Sequence, residues 1–145
     1  MRYFPIFIDL KDRPVLVVGG GEEALRKVRL LLKTEARINV AAADLHPELA
    51  ASPRVNWIAR RYHAGLIDGT ALVFSADPSL NARVAEDARA AAIPVNAVDD
   101  PEIASFILPS IVDRDPVVVA IGTEGTAPIL GQGLRARIDA MLPPA

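Results

Sequence analysis

Glycines and acidic residues follow an apolar segment near the start of this 145-residue chain. Gly19-Gly20-Gly21-Glu22-Glu23-Ala24 comes directly after PVLVV and before a helix-forming segment, and it fits the pattern G-x-G-x-x-A. In that pattern Gly19 permits a tight turn, Gly21 lets the backbone approach a pyrophosphate, and Ala24 allows a helix to pack closely on a sheet. Peptide N–H groups and the helix dipole would then bind the phosphates. The alternative is a glycine turn that binds no ligand.

Glu22 and Glu23 place negative charge where an anionic pyrophosphate would approach. In the first turn of a helix these side chains can point outward while the backbone N–H groups still face the ligand. Arg26 and Lys27 follow within about one turn and can partly offset the repulsion. We therefore expect a dinucleotide site whose affinity is lowered modestly by its own acids.

A further acidic residue, Asp44, lies 20 residues beyond Ala24, near the end of the next predicted strand. An acid at this position commonly accepts hydrogen bonds from the adenosine ribose hydroxyls. It favours NAD over NADP, because no arginine stands beside it in the sequence to receive a 2′-phosphate. Asp44 is equally well interpreted as a helix N-cap or turn residue, since Leu45-His46-Pro47-Glu48 resembles a helix start.

Two more segments bring polar groups to the ends of predicted strands. In SADPSLN, Ala76 and Asp77 lie where open α/β folds bind ligands, although capping of the next helix is the favoured single role of Asp77. The fifth predicted strand carries Asn96 and then Asp99-Asp100 to the same edge of the sheet. A carboxylate there is either a general base or metal-directing group beside a nicotinamide, or part of a solvated turn.

The elements that would position these residues alternate between short apolar strands and amphipathic helices. Branched apolar runs predict strands and helical spacing predicts helices: the strands cover residues 14–18, 37–43, 54–60, 71–76 and 94–98, and the helices residues 22–33 and 78–92. This alternation predicts an α/β fold with a Rossmann-like, doubly wound parallel sheet.

After Asp99 the pattern changes. Two apolar runs within residues 105–122 are separated by Asp113-Arg114-Asp115-Pro116, and strands joined so tightly must be antiparallel. Residues 127–142 then form a final amphipathic helix. We interpret residues 1–145 as one domain. Because one domain of this size would not cover the apolar hairpin, we expect a homodimer to which the hairpin and the last helix contribute.

The composition narrows the functional class. The chain is 51% hydrophobic and 23% charged, as globular proteins are, and its net charge of −2 gives no attraction to nucleic acid or to anionic membranes. It has no cysteine, no apolar run that spans a bilayer and no signal-peptide pattern, so a cytoplasmic location is expected. Neither His46 nor His63 has the spacing of a metal ligand, and the motifs of serine hydrolases, P-loop enzymes and zinc proteases are absent.

The order of motifs resembles one known family. PIFIDLKDRPVLVVGGGEEALRK, SADPSLN, NAVDDPEIASFILPSIVDR and AIGTEGTAPIL together are similar to the N-terminal module of siroheme synthase and to the stand-alone precorrin-2 dehydrogenase and sirohydrochlorin ferrochelatase. The resemblance covers essentially the whole chain. It implies NAD-dependent dehydrogenation of the tetrapyrrole precorrin-2 to sirohydrochlorin, and many members also insert ferrous iron to give siroheme.

The resemblance also assigns roles to residues. It implies that Asp99, in the N-x-V-D motif, is the catalytic carboxylate, which would accept protons released during oxidation or from pyrrole N–H groups. It implies coenzyme contacts at a set of residues along the sheet edge: Gly19, Gly21, Glu22, Glu23, Ala43 and Asp44, with Ala76, Asp77 and Asn96 as weaker candidates near the nicotinamide. No metal-ligating residue is predicted, since neither histidine has the spacing of a ligand.

Two other classes of function are compatible with a glycine-rich Rossmann turn. One is a non-catalytic NAD-binding regulatory domain that senses nucleotide, and the other is a purely structural dimerisation domain. The NAVDDPEIASFILPS segment and the following hairpin favour the enzyme, because a generic sensor does not need them. In the resembled family a helical segment usually follows the region that ends here at Ala145, so we expect a longer chain or another polypeptide to supply it.

Overall fold

A computed structural model describes residues 1–144 of the chain. The contacts between residues divide the chain into two compact units. One unit comprises residues 6–106, and the other comprises residues 1–5 together with the chain from Ile107 onward. No helix among the described residues is long and apolar enough to cross a membrane.

The unit of residues 6–106 is built from alternating strands and helices. In chain order its elements are β1 (Pro14–Val18), α1 (Glu22–Leu31), β2 (Arg37–Ala41), α2 (Pro47–Ala51), β3 (Val55–Ala59), a 3-10 turn (Ala64–Ile67), β4 (Leu72–Ser75), a second 3-10 turn (Pro78–Leu80), α3 (Asn81–Ala90) and β5 (Val95–Ala97). All five strands are parallel and lie in the order β3-β2-β1-β4-β5. The predicted doubly wound α/β sheet is therefore confirmed, with its change of direction between β1 and β4.

The core of this unit lies around the central strand. Residues 15–18 of β1 are fully buried, as expected for a strand that has a parallel neighbour on each side and helices packed on the sheet. Helix α1 buries Ala24, Leu25, Val28 and Leu31, which recur at helical spacing, and its charged residues face away from the core. Because the five strands are parallel, the loops that follow them lie at one edge of the sheet, where the polar residues are found.

The second unit contains a hairpin and a helix. Strands β6 (Ser110–Arg114) and β7 (Val117–Ile121) are antiparallel, and α4 spans Pro128–Met141. The turn consists of Asp115-Pro116, since Asp113 and Arg114 belong to β6. The paired strands are shorter than the predicted hairpin of residues 105–122, because the Ser105 N–H donates to the Val95 carbonyl at 2.8 Å instead of entering the hairpin.

Side-chain contacts to backbone carbonyls fasten α4 to the hairpin. The Arg135 Nε donates to the Ile111 carbonyl at 2.8 Å, and the Arg114 guanidinium pairs with Asp139 and donates to the Leu142 carbonyl at 3.1 Å. Many apolar side chains of this unit stay exposed even so: Val117, Val118, Ile129, Leu130, Leu134 and Met141.

Candidate functional site

The glycine turn joins β1 to α1 and is shaped by close backbone approaches. Gly19 has φ of +119°, and a Cβ there would lie 3.1 Å from the Ala76 backbone, so glycine is required. A Cβ on Gly20 would overlap the carbonyl oxygen of Asp44. A Cβ on Gly21, in contrast, would meet no protein atom within 4 Å. Packing therefore explains the first two glycines, while the space beside Gly21 is open to a ligand.

The start of α1 offers unpaired backbone donors at this open space. Gly21 is the N-cap residue and supplies no side-chain hydrogen bond to the helix. The first intrahelical bond runs from the Leu25 N–H to the Gly21 carbonyl, at 3.0 Å, which leaves the preceding helical N–H groups without a helical partner. Uncapped N–H groups and the positive end of the helix dipole suit a phosphate group.

Both acidic side chains of the first turn have cationic or hydrogen-bonding partners beside the helix. The Glu23 carboxylate lies 3.0 Å from the Arg26 guanidinium, as the sequence suggested, and Glu22 lies 3.1 Å from His46 Nε2. The N–H of Glu48 donates to His46 Nδ1 at 3.1 Å, so Nδ1 carries no proton and Nε2–H is the donor to Glu22. The two acids are thus held by neighbours, and their effect on a bound anion is reduced.

The loop after β2 carries Ala43 and Asp44. His46, and not Asp44, is the N-cap residue of α2, so the interpretation of Asp44 as a cap is wrong. The Asp44 side chain is exposed, takes part in none of the ion pairs among residues 1–144, and lies beside the glycine turn. It is available to ribose hydroxyls.

Two residues were not predicted to belong to the site: Trp57 in β3 and Arg60 directly after it. The Trp57 Nε1–H donates to the Ala42 carbonyl at 2.8 Å, and the Arg60 Nη1 donates to the Ala43 carbonyl at 3.2 Å. The Arg60 guanidinium also lies 4.3 Å from the centroid of the Trp57 ring, a cation–π contact. The premise that no arginine lies beside Asp44 is therefore wrong, because the parallel pairing of β2 with β3 brings Arg60 next to the loop.

A cavity of about 480 Å³ opens between these loops. It is lined by the last residue of β2, by residues in the loops after β1, β2, β3 and β4, and by one residue of α3: Gly19, Gly20, Ala41, Ala42, Ala43, Asp44, Arg60, Arg61, Tyr62, Asp77, Leu80 and Arg83. Four of the predicted coenzyme residues, Gly19, Ala43, Asp44 and Asp77, thus line one space. The arginines and Tyr62 could have been expected only from the strand order, since they lie far from the glycines in the sequence.

Tyr62 ties one wall of this cavity to α3. Its hydroxyl donates to the Asp87 carboxylate at 2.6 Å, and the Arg83 guanidinium lies 5.1 Å from the centroid of its ring. Burial, and then the hydrogen bond to Asp87, raise the pKa of Tyr62 far above its ordinary value of 10.0. Tyr62 is consequently a neutral donor at physiological pH, and it holds the loop after β3 in place.

At the ends of β4 and β5 most polar side chains serve the fold. The Asp77 carboxylate accepts a hydrogen bond from the Ser79 N–H at 3.0 Å, which is the capping role favoured from the sequence. The Asn96 amide donates to the Phe106 carbonyl at 3.1 Å. Ala76 packs against Gly19 through its backbone. Asn96 does not line the cavity.

Asp99 lies in a tight turn directly after β5. The Asp100 N–H donates to the Ala97 carbonyl at 3.3 Å, and Asp99 has φ of +56°, a conformation that is uncommon for residues other than glycine. Its side chain is exposed and takes part in none of the ion pairs among residues 1–144. Asp99 lies at the same edge of the sheet as the glycine turn, but outside the residues that line the cavity.

No group of three or more His, Asp or Glu side chains that could hold a metal ion occurs in the described part of the chain. The residues fit a dinucleotide, because Gly19, Gly20 and the Asp44 carboxylate line one cavity. The uncapped start of α1 follows directly on this turn, with open space beside Gly21.

Comparison with known proteins agrees with this geometry. The chain is 49% identical to siroheme synthase 1 of Cronobacter sakazakii over 148 residues, which are 99% of this chain and 31% of that protein. It is 48% identical to the siroheme synthase of Methylobacillus flagellatus over 148 residues, again 99% of this chain and 32% of the relative. The resemblance to siroheme synthase is thereby confirmed, and the chain spans about a third of the length of these curated relatives.

A solved structure shares the fold. The protein "SirC, precorrin-2 dehydrogenase" superposes with a TM-score of 0.77 at 23% identity, over 97% of this chain and 72% of that chain. A family model with the description "Putative NAD(P)-binding" matches residues 6–110, which include the whole parallel sheet and the glycine turn. That match covers more than half of the chain, and the chain therefore belongs to this NAD(P)-binding family.

Proposed function

We propose that this chain is the coenzyme-binding part of an enzyme that oxidises precorrin-2 to sirohydrochlorin with NAD. The observation that carries the proposal is the cavity beside the open glycine turn, with the free Asp99 carboxylate at the same sheet edge. The similarity to siroheme synthases, and the fold shared with a precorrin-2 dehydrogenase, support this substrate.

The proposed reaction removes two electrons and two protons from the macrocycle. NAD supplies the acceptor for one hydride. The N–H groups at the start of α1 bind the pyrophosphate, and Asp44 accepts hydrogen bonds from the adenosine ribose. Asp99 accepts the remaining proton, which requires an ionised carboxylate within hydrogen-bonding reach of the substrate. Coenzyme binding also involves the backbone atoms of Glu22, Glu23 and Ala43. Near the nicotinamide, the wall of the site is formed by Ala76, Asp77 and Asn96.

We propose NAD as the coenzyme, although an arginine lies beside Asp44. Arg60 is already engaged by the Ala43 carbonyl and the Trp57 ring, whereas the Asp44 carboxylate would repel a 2′-phosphate. We expect the Kd for NAD, measured by calorimetry, to be at least about tenfold lower than that for NADP. Asp44→Asn should narrow this difference, and an unchanged difference would remove Asp44 from the ribose site.

Ferrous iron is proposed as a second substrate, because the resembled family includes ferrochelatases. The macrocycle nitrogens would bind the iron, and Asp99 would accept the pyrrole protons as the metal enters. Anaerobic addition of ferrous iron to the protein and sirohydrochlorin should change the visible spectrum to that of a metallated macrocycle. A rate equal to that without protein would restrict the activity to dehydrogenation.

A homodimer is proposed as the working assembly. The exposed apolar side chains of β7 and α4 support it, with Ile129 exposed by 87% and Val118 by 45%. Light scattering on wild type and Val118→Glu should give the mass of two chains and of one chain, respectively. A wild-type monomer over a range of concentrations would exclude this assembly.

The activity itself is tested by mixing the chain, NAD and precorrin-2 and following absorbance of NADH and of sirohydrochlorin. Equal amounts of both products are expected. If this chain alone is inactive, the same assay on any longer product of its gene is decisive. Binding of NAD with no oxidation in either form would instead identify a nucleotide-sensing domain, and failure to bind NAD would leave only a structural role.

A further inference from the structure

A buried polar bridge connects the end of β4 to the turn that contains Asp99. The Ser75 hydroxyl donates to the Asn81 Oδ1 at 2.6 Å, and the Asn81 Nδ2 donates to the Val98 carbonyl at 2.8 Å. Ser75 and Asn81 are only 1% and 3% exposed. The orientation of the Asn81 amide follows from its partners, because a carbonyl can only accept and so must face Nδ2.

The turn over Ala97–Asp100 has the features of a type II turn. The Asp100 N–H donates to the Ala97 carbonyl at 3.3 Å, and of the two central residues only Asp99 has positive φ. Type II turns strongly prefer glycine or asparagine at this third position. An aspartate is strained in this conformation, and contacts with the surroundings help to keep it there.

The Asn81 side chain contacts the one group that distinguishes the two common turn types. Types I and II differ by a flip of the central peptide, which reverses the direction of its carbonyl. Here that carbonyl belongs to Val98, and it is the acceptor for Asn81 Nδ2. A flip to type I would remove the Val98 oxygen from its buried donor and leave both groups unpaired, which is unfavourable. The bridge therefore favours type II.

We propose that Asn81 is a positioning residue for Asp99: it holds the Val98–Asp99 peptide in the type II orientation and so aims the Asp99 carboxylate at the substrate. This inference rests on the proposed function for its catalytic consequence, but its structural part can be measured independently. A second tie, from the Val98 N–H to the Ser75 carbonyl at 2.9 Å, fixes where the turn begins and leaves the orientation of the next peptide to Asn81.

The matched pair of variants is Asn81→Ala and Ser75→Ala. Asn81→Ala deletes the donor to Val98, whereas Ser75→Ala cuts the same buried bridge on its other side and leaves that donor in place. In Asn81→Ala we expect kcat for precorrin-2 oxidation to fall about 10- to 100-fold, with Kd for NAD unchanged within about twofold. In Ser75→Ala kcat should stay within about threefold of wild type. If Asn81 acts only through Asp99, the double variant Asn81→Ala/Asp99→Asn should have the same kcat as Asp99→Asn alone.

The type of the turn over Ala97–Asp100 is determined by NMR in each variant. A strong Overhauser effect between the Val98 Hα and the Asp99 amide proton, which marks a type II turn, is expected in wild type and Ser75→Ala and should be lost in Asn81→Ala. If Asn81→Ala does not fold, Asn81→Leu keeps a comparable side-chain volume and removes the donor without adding a charge, and the same two readouts apply.

Retention of that effect without the Asn81 amide, or an equal loss of kcat in both alanine variants, would overturn the proposal. A wild-type protein that does not oxidise precorrin-2 would contradict the proposed function, while the Overhauser effect would still decide whether Asn81 sets the turn.

Discussion

The two halves of the sheet edge use their polar groups differently. At the ends of β1, β2 and β3, Gly19, Gly20 and the Asp44 carboxylate line a cavity, and the first N–H groups of the adjoining α1 have no helical partner. At the ends of β4 and β5, Asp77, Asn81 and Asn96 are all occupied by hydrogen bonds within the fold, and Asp99 remains free. The first half is organised as a binding surface with several modest contacts. The second half is organised as a support for one carboxylate.

This difference separates binding from catalysis along one edge. In a doubly wound sheet a dinucleotide lies across the change of strand direction, here between β1 and β4. Its pyrophosphate would meet the glycine turn and its reactive end would extend toward β5. Substitutions on the β1–β3 side should therefore change affinity, and substitutions on the β4–β5 side should change turnover.

The largest expected effect is that of Asp99→Asn. Asparagine tolerates positive φ as aspartate does, so the turn is kept while the proton acceptor is lost. We expect kcat to fall about 10²- to 10⁴-fold with the Kd for NAD unchanged. Asp100→Asn, which removes the adjacent carboxylate, is the matched control and should stay close to wild type. If the two variants lost activity equally, Asp99 would have no special role.

An intermediate effect is expected at the glycine turn, where Gly21→Ala and Gly20→Ala form a contrasting pair. A Cβ on Gly21 meets no protein atom, so the fold should lose at most about 1 kcal/mol through the poorer N-cap, while the methyl group obstructs the pyrophosphate. The Kd for NAD should rise at least about tenfold, or about 1.4 kcal/mol. In Gly20→Ala the clash with Asp44 should lower the melting temperature as well. Normal NAD affinity in Gly21→Ala would contradict a pyrophosphate site here.

The smallest effect concerns the acids of the first helical turn. Glu23→Gln removes a negative charge that Arg26, whose own side chain is exposed, only partly offsets. Affinity for NAD should improve about two- to threefold at low salt, and the gain should shrink at high salt because screening weakens the repulsion. Glu48→Gln, which removes an acid that pairs with Arg29 in the same unit, is the control. A loss of affinity in Glu23→Gln would indicate that its carboxylate contacts the coenzyme directly.

Much of this arrangement could be predicted from the sequence, because it depends on local signals. The glycine turn, the five strands and the position of Asp99 after β5 follow from apolar periodicity and from glycine placement. The predicted bounds of the hairpin and of the helix after β4 were less accurate. For the helix, Pro78 begins a 3-10 turn, and α3 itself starts only at Asn81. Helix ends depend on capping partners that the sequence leaves open.

The residues that were missed act through tertiary neighbours. Arg60 and Trp57 reach the loop after β2 only because β3 pairs with β2 in parallel, with Val40 opposite Trp57 and a shift in register after it. Asn81 gains its role from two residues that lie 6 and 17 positions away, and from a turn type that the sequence around Asp99 does not favour. The cap of α2 is a local exception: it lies at His46 and not at Asp44, because His46 Nδ1 accepts the Glu48 N–H two residues later.

The most direct test of the separation between the two halves is an NMR titration of the isotope-labelled protein with NAD and, separately, with ADP-ribose, which lacks the nicotinamide. Both ligands should shift the amide signals of Gly21, Glu22 and Glu23, because both carry the pyrophosphate. Only NAD should shift those of Asp99 and Asp100. Absence of shifts at residues 21–23, or identical shifts at Asp99 with the two ligands, would contradict a dinucleotide that lies across the sheet edge from the glycine turn to β5.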